Sequence, residues 1–176
     1  SSRLSVKGTG NKLDLNGHTY TYTGSDYGAF VINSNSSLEI AGGTLEVTDK
    51  TVSSAIMASG PSNTNVTITI AQDATIKGNG VFMQGKTVTL NVYGTIDTTG
   101  TSQAAIIGNG TEGQGPTKIN IYDGAVINAD DIAIYHPQAG TLNIEGGEIS
   151  ASTAVYMKSG TLNVSGGTII GNGQKA

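Results

Sequence analysis

Asp130 and Asp131 form the one adjacent carboxylate pair in this chain. Carboxylates are the usual acid–base groups for cleaving polysaccharides. An inverting glycosidase, however, separates two or three of them by room for a water, and a bare Asp-Asp lacks that spacing. The two histidines, His18 and His136, have no nucleophile motif around them, so a Ser-His-Asp system has no support. His136 precedes Pro137 and reads as a surface or turn residue rather than a metal ligand. Calcium needs several oxygen ligands, and the glycine-aspartate nonapeptides that bind it are missing. The tripeptides at 78–80, 108–110 and 171–173, each Gly-Asn-Gly, read as turns rather than phosphate loops. The expectation is no catalytic residue, no metal and no cofactor. The side chains better suited to binding are Tyr135 and Tyr156, whose rings can stack on sugars. His136 and Lys158 lie close by in sequence as hydrogen-bonding groups.

Composition narrows the classes of partner. Of 176 residues, 26 are Gly, 3 are Pro and none is Cys; 36 % are apolar and 12 % charged. That balance is too apolar for a disordered linker and suits many short strands joined by many turns. The net charge is −4 and Arg3 is the one arginine. A nucleic-acid surface needs clustered cations, so nucleic acid is an unexpected partner. No run of 18 apolar residues predicts a membrane span. The absence of cysteine fits a bacterial surface or secreted protein, or a cytosolic one. The Ser-Ser start suggests a segment of a longer precursor.

The elements that must position the tyrosines emerge from a repeat. Thr141–Ile149 (TLNIEGGEI) returns 20 residues later as Thr161–Ile169 (TLNVSGGTI). The same phrase runs back through anchors at Leu15, Ile40, Ile70, Val92, Ile121, Ile144 and Val164, spaced by 25, 30, 22, 29, 23 and 20 residues. Two residues before each anchor lies another aliphatic: Leu13, Leu38, Ile68, Leu90, Ile119, Leu142 and Leu162. A polar residue separates each pair. Such alternation marks a strand with one buried face. A second apolar position follows each corner (Tyr20, Leu45, Ile76, Ile96, Val126, Ile149, Ile169), often after a Gly-Gly pair. A third strand follows in six units, centred on Phe30, Ile56, Phe82, Ile106, Ile134 and Val155, read as inward. Three short strands per repeat describe an all-β parallel β-helix of about seven coils, one domain over residues 1–176. A single coil buries too few side chains to offset its ordering entropy, so coils must stack to fold.

If the third-strand centres point inward, their successors point out. Those are Val31, Met57, Met83, Ile107, Tyr135 and Tyr156, an exposed apolar ladder ending in two tyrosines. Exposed apolar surface of this kind marks contact sites. The candidate ligand-binding residues are therefore Tyr135, Tyr156, Met83, Ile107, Met57, His136 and Lys158. Tyr93 and Tyr122, which follow anchors in adjacent coils, form a secondary candidate; mutual stacking is the alternative role for such rings. The asparagines at 91, 120, 143 and 163 read as a structural ladder. Extra residues at Ser59–Asn65 and Gly108–Pro116 fall on one edge, two coils apart, where they would wall a groove.

The TLNI-x-GG-x-I … AIY unit resembles the right-handed parallel β-helix, or pectate-lyase-like, repeats of large bacterial surface proteins. Gram-positive adhesins and carbohydrate-associated proteins carry such repeats. The resemblance covers about Leu13 to Ile170. It implies the right-handed sense of the coil. It also implies comparison with polysaccharide lyases, whose carboxylate clusters span neighbouring coils beside a basic residue. Here the positions aligned with Asp130-Asp131 are Gln103-Ala104 and Ser152-Thr153, so no such cluster is expected. The resulting expectation is a non-catalytic, extracellular adhesion module on a bacterial cell surface, contacting glycans or a host-surface protein. It would be part of a larger polypeptide whose neighbouring domains are partners. The alternatives are a rigid spacer and a divergent lyase or glycosidase relative.

Overall fold

The structure, a computed structural model, describes residues 2–49, 51, 54–58, 60, 64–110 and 115–173. The described residues form 21 strands and no helix. The strands fall into three parallel sheets of seven, and each coil contributes one strand to each sheet. The fold is a right-handed parallel β-helix of seven coils.

The first sheet holds β1 (Leu4–Val6), β4 (Gly28–Ile32), β7 (Ser54–Ala58), β10 (Val81–Met83), β13 (Ile106–Gly108), β16 (Ile132–His136) and β19 (Thr153–Met157). The second holds β2 (Asn11–Asp14), β5 (Ser37–Ala41), β8 (Val66–Ile70), β11 (Val88–Val92), β14 (Thr117–Ile121), β17 (Gly140–Ile144) and β20 (Thr161–Val164). The third holds β3 (Thr19–Tyr22), β6 (Gly43–Val47), β9 (Ala74–Lys77), β12 (Thr95–Asp97), β15 (Val126–Asn128), β18 (Glu148–Ala151) and β21 (Thr168–Gly171).

The core is a set of stacked aliphatic columns. In the second sheet Leu38, Ile68, Leu90, Ile119 and Leu142 lie in register, and Ile40, Ile70, Val92, Ile121 and Ile144 form the column beside them. All ten are buried. Alternation works here because side chains on a strand change face at every residue. Backbone pairing runs between coils, so each coil closes the faces of its neighbours.

The Gly-Gly corner has two separate requirements. Gly147 has φ +77°, a left-handed conformation that a side chain disfavours. Gly146 is excluded from substitution by space instead: a Cβ there would lie 2.6 Å from the Asp123 backbone of the coil below. One glycine turns the chain and the other lets coils approach.

The register departs from the sequence reading in four places. A strand at Leu4–Val6 precedes the first expected unit and pairs with β4. In the first coil Leu13, rather than Leu15, lies beside Ile40, and Asn11 takes the place beside Leu38. Asn11 fits there because its Nδ2 donates to the backbone oxygens of Lys7, Gly8 and Ser37. In the third sheet Ile127, rather than Val126, faces the core between Ile96 and Ile149. The longer corner in that coil, closed by Ala125 N–H donating to Tyr122 O, shifts the strand by one residue.

The fourth departure alters the exposed ladder. Val81, rather than Phe82, pairs with Ile56 and Ile106. Met83 is therefore fully buried, and Phe82 occupies the outward column. Size does not decide which apolar residue faces in; parity from the preceding corner does. Gly80 lies just before β10, and a Cβ there would fall against the Ala105 carbonyl, so the chain enters β10 pressed against the next coil.

Candidate functional site

The outward column of the first sheet runs Val31, Met57, Phe82, Ile107, Tyr135, Tyr156. Five of the six expected members stand, with Phe82 replacing Met83. The column is not uniformly exposed. Val31 and Met57 are 7 % and 9 % exposed, which corrects the expectation that Met57 lies open. Phe82, Ile107 and Tyr135 are half-buried, and Tyr156 is 45 % exposed. The accessible part is thus the half that ends in the tyrosines. Their ring centres lie 5.4 Å apart, tilted by 45°. Lys158, two residues past Tyr156, is exposed beside this end.

His136 is not on this face. It is fully buried, which overturns its reading as a surface group. It follows Tyr135 and so points to the opposite side of the strand. Its Nδ1 lies 3.0 Å from the Ser159 carbonyl, and its Nε2 lies 3.2 Å from Thr117 Oγ1. A carbonyl only accepts, so Nδ1 carries a proton and donates to Ser159, while Nε2 shares a hydrogen bond with the threonine hydroxyl. The imidazole ties the corner after β19 to β14. Gln138, also buried, adds a polar amide to the same interior corner.

Tyr93 and Tyr122 stack with ring centres 4.2 Å apart and planes within 3°. Burial raises the Tyr122 phenol above its ordinary pKa, and the hydrogen bond to Tyr93 adds to the shift. The rings satisfy each other across one coil step, the structural role considered above. Tyr93 is partly exposed at the coil corner.

Asp130 accepts a hydrogen bond from Gly100 N–H at 2.8 Å. Ser152 N and Thr153 N donate to the backbone oxygens of Asp130 and Asp131, and Thr153 pairs with Ile132, one residue past the expected alignment with Asp131. The tripeptide corner at 78–80 approaches Val47 and Ala105, a packing role.

A cleft of about 480 Å³ lies on the outer face of the second sheet, between Asn65 and Pro116. These residues are the last of the two extra segments expected to wall a groove. Residues 59, 61–63 and 111–114 of those segments lie outside the described residues. Asn65 is at φ +55° and donates from Nδ2 to Asn35 Oδ1 at 2.9 Å. The floor carries Thr67, Thr89, Lys118 and Thr141. The sequence expectation does not include this floor. The signal was present as the polar residue before each first-column aliphatic, as in Thr-Leu-Asn.

No protein-family model, curated protein or solved structure matches this chain.

Proposed function

We propose that the chain is a non-catalytic binding module of a bacterial cell-surface protein and contacts glycans outside the cell. The observation that carries this reading is the outward column from Phe82 to Tyr156. It presents apolar and aromatic side chains in a line, with the accessible end formed by Tyr135, Tyr156 and Lys158. Flat rings beside a hydrogen-bonding cation suit the apolar face and hydroxyl rim of a sugar. A glycan-array screen of the whole chain tests it, followed by titration of Tyr135→Ala/Tyr156→Ala against a sugar that binds the wild type. Loss of two stacking rings weakens binding about tenfold; unchanged affinity removes these residues from the site.

A spacer reading rests on a different observation. All three sheets continue through seven strands with every neighbour parallel. Such a stack is a stiff rod suited to projecting another domain. It predicts a silent array from a folded chain.

A further inference from the structure

The geometry points to a second binding site, for a short oligosaccharide bearing a single carboxylate, in the cleft above Thr67, Thr89, Lys118 and Thr141. These four are consecutive partners across adjacent strands of the second sheet. The site is on a different sheet from the tyrosine column and stands independently of it.

Three features define the ligand. The first is length. Four coils in register are separated by three steps of about 4.8 Å, giving a floor roughly 14 Å long, bounded at the near edge by Asn65 and Pro116. A short, extended chain fits; a compact globular partner does not enter. The second is polarity. The threonines present hydroxyls at three of the four coils, able to donate and accept, as an oligosaccharide requires.

The third is charge. Lys118 is exposed and forms no ion pair among the described residues. The outward positions of β8, β11, β14, β17 and β20 otherwise hold threonine and asparagine, with no carboxylate. The acidic residues of this face, Asp14 and Glu39, lie two coils and one coil before β8, and Glu39 is held by Lys12 at 3.1 Å. Lys118 is therefore a solvent-exposed cation with no carboxylate partner among the described residues, on strands whose outward residues are otherwise uncharged. One ammonium matches one anion. A polyanion would bring further unpaired charges against a neutral face of a chain whose net charge is −4. The fit is one acidic sugar followed by neutral ones.

The test is calorimetric titration of the 176-residue chain with a trisaccharide ending in one glucuronate, against the same trisaccharide ending in glucose. The acidic sugar is expected to bind about tenfold more tightly at low salt, the equivalent of one charge-assisted hydrogen bond. Lys118→Gln is expected to abolish that preference, while Tyr135→Ala/Tyr156→Ala preserves it. Lys118 is exposed, so its substitution leaves the fold intact; circular dichroism checks this. Equal affinity for the two sugars, no binding of either, or a preference that survives Lys118→Gln overturns the proposal. Tighter binding of polygalacturonate than of the trisaccharide overturns the single-carboxylate assignment.

Discussion

Asn143 donates from Nδ2 to Oδ1 of Asn120 at 2.8 Å, and Asn120 donates in the same way to Asn91. Asn163 extends the chain to a fourth coil. The two inner amides, Asn120 and Asn143, each spend one donor and one acceptor on their neighbours, while Asn91 only accepts and Asn163 only donates. Asn120 is the buried member. Asn120→Ala leaves Asn143 without its acceptor and Asn91 without its donor. The expected cost is about 1–3 kcal/mol, a fall in Tm of several degrees for a chain of this size. Asn163→Ala, at the exposed end, is expected to cost a few tenths of a kcal/mol. Thermal unfolding followed by circular dichroism separates the two; equal effects would mean that the ladder carries no buried bond.

The glycines divide by mechanism. Gly80 has no positive φ, but its Cβ position meets the Ala105 backbone. Gly100 has φ +77° with open space around it. Gly80→Ala forces two coils apart and is expected to cost about 3 kcal/mol, the upper end of overpacking. Gly100→Ala bears only left-handed strain, about 1–2 kcal/mol. Urea unfolding of both variants gives the comparison, and a milder Gly80→Ala would show that the coils yield.

Facing direction along β10 is open to direct test. Met83→Ala opens a hole in the buried core and is expected to cost about 2–5 kcal/mol. Phe82→Ala, on the half-buried outer column, is expected to cost less despite the larger ring. The reverse order in chemical denaturation would place Phe82 inside.

Alkaline pH acts through Tyr122. Its folded pKa is raised, first by burial and then by the hydrogen bond to Tyr93. The folded state then holds the proton more tightly than the unfolded chain does. The stabilisation is complete below the unfolded tyrosine value near 10 and is lost as pH rises through the folded value. Stability should therefore fall above pH 10, and Tyr122→Phe should flatten part of that fall. Tyr22, raised by burial and by Asp26, contributes in the same direction. Denaturant midpoints across that range check both, and an identical alkaline slope in Tyr122→Phe would contradict the assignment.

The Thr-Leu-Asn-Ile phrase determined the architecture by itself. An apolar residue at every second position must share one face, and seven such phrases can bury that face only against one another. The asparagine ladder and the pair Tyr93–Tyr122 follow from the same period, because residues at equal phase in adjacent coils must stack. What the tertiary structure alone decided was phase after each corner. Val81-Phe82-Met83 and Val126-Ile127 offer apolar residues on both faces, so composition cannot say which turns inward. The length of the preceding turn does. His136 was lost for the same reason: its partners, Thr117 and Ser159, come from neighbouring coils. The floor beneath Asn65 and Pro116 likewise exists only once four separate strands lie in register, since no single stretch of the chain contains it.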